Sequence, residues 1–184
     1  MKILWISWSP REKNTVYMIK TIIEATGLDY EIINLKDFKI ASCLACWGCH
    51  KTKKCLINDD MQKLYGKMLE SDYIVLGSPT YFENVTWIMK TFMDRCLPFY
   101  LSDELKGKWV ALVSVGNYKG GEELKGNQNI NKSDEIYSVK KCINTMESFC
   151  NHLGLEIIWN VCAISSNPQE KEKELKDLGR NLIK

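Results

Sequence analysis

Four of the chain's eight cysteines fall within thirteen residues, in the stretch CLACWGCHKTKKC. Cys43, Cys46, Cys49 and Cys55 are spaced Cys-x2-Cys-x2-Cys-x5-Cys. Thiolates so close together can pair as disulfides, bind zinc, hold an iron–sulfur cluster or stand as free redox-reactive thiols. Cysteines two residues apart in succession fold round a cubane cluster, and ferredoxins start in a similar way. Structural zinc sites more often pair two Cys-x2-4-Cys knuckles from separate segments. Cys96, Cys142, Cys150 and Cys162 sit singly in apolar patterns and read as small core residues. His50 reads as a solvated loop residue and His152 as a helix-end residue, while Trp47 and Trp87 flank the chemistry-bearing stretches.

The surroundings of these thiols narrow the choice. The opening MKILWISWSPREK has an apolar run too short for a signal-peptide core, and no later segment approaches the ~20 apolar residues of a membrane span. A cytoplasmic protein is therefore expected, in which thiols stay reduced, so disulfides are the weakest reading. The chain has 184 residues, 45% apolar and 26% charged, enough for the core of one domain. Its 25 basic and 23 acidic side chains give a net charge of +2, which provides no basic face for nucleic acid or an anionic membrane.

A second set of candidate residues lies in three loops, and the elements that must position them can be read from periodicity. Short apolar runs at 2–7, 72–78, 108–115 and 155–164 read as buried strands, with 30–35 as an edge strand. Helical patterns fall at 14–26, 59–70, 84–97, 134–153 and 168–183, the second capped by Asp59 and Asp60 and the fourth ended near Gly154. This alternation predicts an α/β fold with a parallel sheet covered on both faces. The chain reads as a single domain over 1–184, with a cysteine-rich insertion at about 41–58 and one long polar loop at 117–133. Ligands of such a sheet bind beyond the carboxyl ends of its strands. That directs attention to SWSPREKNT (7–15), SPTYFENVT (78–86) and GNYKGGEE (116–123). The first can place backbone N–H groups and hydroxyls round a phosphate, with Asn14 capping the helix. The second puts aromatics at a strand end, and the third has glycines that let backbone approach a flat ligand.

Taken together, the loops resemble those of the flavodoxin-like flavoproteins, in particular the NADPH-dependent FMN reductase and iron–sulfur flavoprotein group. SWSPREKNT, CLACWGCHKTKKCLINDDM, GSPTYFENVTWIMKTFMDR and GNYKGGEE match that group's motifs in order, over about three quarters of the chain. The resemblance implies a flavodoxin-like, doubly wound five-stranded sheet of order 2-1-3-4-5 with FMN at its carboxyl edge. It assigns Ser7, Ser9, Arg11, Asn14 and Thr15 to the FMN phosphate. Pro79, Thr80, Tyr81, Phe82, Asn84 and Val85 would line the ring and ribityl chain, and Gly116, Gly120 and Gly121 would approach from the third side. Asp94 and Arg95 would form a structural pair beneath the flavin. The compact cysteine motif lies where the iron–sulfur flavoproteins carry theirs, implying a [4Fe–4S] cluster on Cys43, Cys46, Cys49 and Cys55. Trp8 replaces a small residue of the family, in a loop one residue short. Glu83 replaces a glycine and would bring negative charge beside the ring.

The implied activity is that of an FMN-dependent oxidoreductase whose chemistry belongs to the flavin, with no catalytic side chain required. Electrons would pass from ferredoxin or NAD(P)H to a small-molecule acceptor. Two alternatives stay open: an NAD(P)H-dependent FMN or quinone reductase without a cluster, and an accessory protein of this fold that has lost its cofactor. A homodimer or homotetramer is expected, with no nucleic-acid or membrane partner.

Overall fold

The computed structural model describes residues 1–9, 13–116, 123–124, 128–129, 132–164 and 167–182. Arg11, Gly120 and Gly121 therefore lie outside the described residues, as does most of the expected loop at 117–133.

Five strands form one parallel sheet: β1 (Lys2–Ser7), β2 (Asp29–Asn34), β3 (Tyr73–Pro79), β4 (Trp109–Val115) and, at the far edge, β7 (Glu156–Ala163). Their order is β2-β1-β3-β4-β7, the expected 2-1-3-4-5 arrangement. Within the polar segment, β5 (Glu123–Leu124) and β6 (Gln128–Asn129) pair antiparallel, so that segment is not loop throughout.

Strand alternation divides the core in two. Leu4 and Ile6 of β1, Ile74 and Leu76 of β3, and Val110 and Leu112 of β4 face α3 (Met61–Glu70), α4 (Trp87–Arg95) and α6 (Lys132–His152). Ile3, Trp5, Tyr73, Val75, Ala111 and Val113 face α1 (Asn14–Thr26) and α7 (Glu172–Asn181). Those two helices pack so tightly that a Cβ added to Gly179 would lie 2.2 Å from the Ile22 carbonyl oxygen.

The remaining differences from the periodicity lie beside the sites. The helix expected at 84–97 begins at Trp87, because Tyr81–Asn84 makes a tight turn and the Thr86 hydroxyl caps the helix by accepting from the Met89 N–H. It stops at Arg95, and α5 (Leu97–Ser102) follows with Pro98 in its first turn, a position where the missing N–H costs nothing. A short helix, α2 (Gly48–Thr52), forms inside the cysteine stretch. The helix expected at 59–70 starts at Met61, since Asp59 and Asp60 turn aside to bind neighbouring backbone. A 3-10 turn at Pro168–Lys171 precedes α7. Gly154, with φ of 67°, ends α6 in the left-handed conformation the sequence suggested. Among the described residues no helix is long and apolar enough to cross a membrane.

Candidate functional site

Strand register brings the three loops together. Ser7 lies beside Gly77, Ser78 beside Ser114, and Pro79 beside Val115, so the loops after β1, β3 and β4 leave adjacent strands at one sheet edge. The Trp8 N–H donates to the Gly77 carbonyl (3.3 Å) and the Thr80 N–H to the Val115 carbonyl (2.9 Å), carrying the pairing one step past the strands. Ser7, Ser9 and Thr15 are buried there, Asn14 half-buried. Lys13 rather than Asn14 occupies the cap position of α1, and the Lys13 side chain makes no capping hydrogen bond.

Beneath the second loop lies a set of hydroxyls, those of Ser78 and Ser114 buried and that of Thr80 half-buried. Thr80 and Ser114 share a hydrogen bond of 3.0 Å, and Ser78 accepts from the Thr86 N–H at 3.2 Å. Ser78 thereby holds the base of the loop against the start of α4. At its tip, Tyr81 and Asn84 exchange backbone hydrogen bonds of 2.9 and 3.0 Å around Phe82 and Glu83. These two residues have φ of 46° and 62°. Consecutive positive φ values on residues with a Cβ cost about 1–2 kcal/mol each, so the turn is held by what surrounds it. The Phe82 ring is fully exposed. Glu83 is paired with Lys141 (2.5 Å), which offsets the negative charge expected beside the ring. Trp8 packs edge-on against Tyr81 (6.2 Å between centroids), joining the first loop to the second.

Trp8, Tyr81, Phe82, Asn84, Val85, Thr86, Trp87 and Lys90 line a cavity of about 440 Å³. Four of these were expected; Trp8, Thr86, Trp87 and Lys90 were not assigned to the flavin. Trp8 was visible as a departure from the family pattern, whereas Lys90 carries no signal in the sequence. Gly116 is constrained from behind: an added Cβ would lie 2.6 Å from Glu135 Oε1 and 2.9 Å from Val139, so close packing of α6 already requires glycine there.

The four clustered cysteines line a second cavity, of about 130 Å³, with Leu44, Ala45, Trp47, Leu56, Ile57, Asp94, Arg95, Leu97 and Pro98. The backbone bends round it through left-handed conformations at Ala45, Trp47 and Lys53. Burial, and then the nearness of Cys55, Cys43 and Cys46, push the Cys49 thiol above its ordinary pKa. All eight cysteines are unpaired by disulfides. Among the described residues, no three His, Cys, Asp or Glu side chains are gathered closely enough to hold a metal as they stand. The four donors still fit a thiolate-bound centre, because they share one cavity and Cys43 and Cys46 are exposed, with room to change rotamer.

A buried ion pair fastens this segment to the end of α4. The Arg95 side chain has no exposed surface; its Nη1 donates to Asp59 Oδ2 and to the Ala41 carbonyl, both at 2.7 Å, and its Nη2 to Asp59 Oδ1 at 3.0 Å. Asp59 also accepts from the N–H groups of Ala41 and Met61. Burial opposes charge on both groups, yet each outweighs that for its partner, so the Asp59 pKa is lowered and the Arg95 pKa raised. Asp60 accepts from the Lys39 N–H, and Tyr65 donates to the Arg95 carbonyl. Both ends of the 41–58 segment are thus tied to one place. The expected Asp94–Arg95 pair is corrected here: Asp94 pairs with Lys90 one helical turn back, while Arg95 turns inward to Asp59. One residue apart on a helix, the two side chains point about 100° away from each other.

A sequence model of the family described as NADPH-dependent FMN reductase matches residues 1–128. An iron–sulfur flavoprotein of Archaeoglobus fulgidus is 45% identical over 128 residues, covering 67% of this chain and 63% of that protein. One from Methanocaldococcus jannaschii is 38% identical over 128 residues, covering 67% and 66%. The match therefore spans just under two thirds of the length of these relatives. Among solved structures, a flavone reductase superposes with a TM-score of 0.72 at 19% identity, over 100% of this chain and 62% of that one. An FMN-dependent NADH-azoreductase of Bacillus anthracis, solved with FMN, gives 0.69 at 19% identity over the whole of both chains. These two likenesses concern the fold alone. The sheet order, the loops gathered at its carboxyl edge and the extent of the sequence match lead to one conclusion: the chain belongs to the NADPH-dependent FMN reductase family.

Proposed function

We propose that this protein is an FMN-dependent oxidoreductase of the iron–sulfur flavoprotein kind, passing electrons from ferredoxin or NAD(P)H to a small-molecule acceptor. The observation that carries the reading is the meeting of the 7–9, 79–85 and 116 segments at one edge of a parallel sheet, with four cysteines in a cavity at the far end of the same helix. Helix α4 begins at Trp87 beside the flavin-side cavity and ends at Arg95 in the wall of the cysteine cavity. FMN, when bound, supplies one- and two-electron chemistry, and a cubane supplies single electrons.

In this reading Ser7, Ser9, Asn14 and Thr15, with Arg11, hold the phosphate at the start of α1, where backbone N–H groups and the helix dipole favour an anion. Thr80, Tyr81, Phe82, Asn84 and Val85, backed by Pro79, set the flat face for the ring. Trp8 and Trp87 wall off water, and Gly116, Gly120 and Gly121 form the third side. Cys43, Cys46, Cys49 and Cys55 ligate the cluster. Residues 1–184 act as one domain with 41–58 as an insertion. The exposed Phe82, Trp87 and Tyr100 belong to a homodimer or homotetramer contact. The protein works in the cytoplasm.

Anaerobically purified protein given excess FMN should retain about one per chain. Losing the charge-assisted phosphate contact in Arg11→Ala should weaken retention by roughly ten- to a hundredfold. Wild-type protein that binds no flavin by titration would leave the accessory-protein reading in its place. The exposure of Cys43 and Cys46 leaves room for a second reading, a reductase taking hydride from NAD(P)H without a cluster. Bound flavin with no acid-labile sulfide after reconstitution would select it.

A further inference from the structure

Arg95 has a donor with nothing to bond. Its two terminal nitrogens are used by Asp59 and the Ala41 carbonyl, but its Nε–H is buried and has no hydrogen-bond partner. An unmatched buried donor is normally costly and therefore rare. Arg95 is also among the residues lining the cysteine cavity, where Cys55 lies against both Arg95 and Tyr65. Asp59 grips the guanidinium end-on through both terminal nitrogens, so the Nε–H is not spent on the carboxylate. Lysine has no counterpart to this arrangement: a single ammonium cannot hold a bidentate partner and offer a separate, rigidly placed N–H. What is missing is an acceptor; Asp94 is engaged by Lys90, and the other side-chain acceptors lining this cavity are the cysteine sulfurs.

We infer that Arg95 donates its Nε–H to a sulfur of the four-cysteine centre, with Cys55 as the acceptor, and so sets the electron affinity of that centre as well as its position. The inference rests on the reading that these cysteines hold a metal centre. A thiolate-ligated centre gains negative charge on reduction, so an N–H donor and a fixed cation beside it favour the reduced form and raise its potential. Arg95 acts through the ligand and touches neither substrate nor flavin, which makes it a positioning residue.

The test uses the full chain reconstituted anaerobically with iron and sulfide and loaded with FMN. Arg95→Lys keeps the cation but removes the Nε–H. It should retain iron, sulfide and FMN while the reduced centre is favoured about tenfold less, a shift of about 59 mV to more negative potential for a one-electron couple. Full metal content with an unmoved potential overturns the inference. If Arg95→Lys cannot hold the centre, wild-type protein carrying 15N-labelled arginine decides, compared metal-free and loaded with cadmium. The Arg95 Nε–H should shift and become protected from solvent exchange on loading; an unchanged resonance overturns the inference. Wild-type protein that takes up neither iron with sulfide nor cadmium refutes the metal-centre reading itself, a result distinct from either of these.

Discussion

Replacing Asp59 with alanine tests whether the buried ion pair holds the cysteine segment in place. The Arg95 side chain is 0% exposed and that of Asp59 13%, so the substitution leaves a buried guanidinium facing an empty space where its carboxylate stood. Breaking a buried pair from one side costs ~3–5 kcal/mol, far more than the ~0–1 kcal/mol of a surface pair. The slight exposure of Asp59 lets some water reach Arg95, which places the expected loss near the lower end, ~3 kcal/mol. For a chain of this size that is a fall in Tm of roughly 6–12 °C. The Ala41 and Met61 N–H groups lose their acceptor in the same step, so peptides from the 41–58 segment should also exchange amide hydrogen faster. Adding Arg95→Met removes the stranded charge, and the double variant should lose less than the sum of the single ones. The sign of the pH dependence is fixed by the lowered pKa of Asp59. Its stabilisation is fully present above the unfolded value of about 3.9, declines as the pH falls below that, and is gone below the depressed folded value. Wild type should therefore lose more stability than Asp59→Ala on acidification through this range. A loss under ~1 kcal/mol at pH 7, or parallel acid profiles, would refute the clamp.

Gly179→Ala should cost ~1–3 kcal/mol, because its Cβ would stand 2.2 Å from the Ile22 carbonyl oxygen and 2.8 Å from the Ala25 Cβ, forcing α1 and α7 apart. A lower urea midpoint at constant m would register it; an unchanged midpoint would contradict the packing. In folded, metal-free protein at pH 8, iodoacetamide should label the exposed Cys43 and Cys46 first. Burial raises Cys150 to about 12 and Cys162 to about 11, which leaves thiolate fractions of roughly one in a thousand or less at that pH. Peptide mapping that finds Cys150 labelled as fast as Cys46 would show that the core of the α6 face is open.

Sequence alone determined the layers, while the strand order was what the resemblance of the loop motifs implied. The buried strands are continuous apolar runs, and strands alternating with helices can bury both faces of a parallel sheet in few ways. It also located the loops after β1, β3 and β4, since a doubly wound sheet fixes where ligands lie, and it isolated the four cysteines through their spacing. What it could not decide depends on where side chains point across distant segments. Asp59 reads locally as a helix cap, and only the approach of α4 makes it the partner of Arg95, 36 residues away. Asp94 and Arg95 read as a pair because they are neighbours, yet helical geometry separates them, leaving Lys90 to one and the cysteine cavity to the other. Glu83 reads as an added negative charge; its neutralisation by Lys141 comes from a helix 58 positions on. In each case the local signal is genuine, and the long-range contact is set by packing, which settles only when the whole sheet and its helices come together.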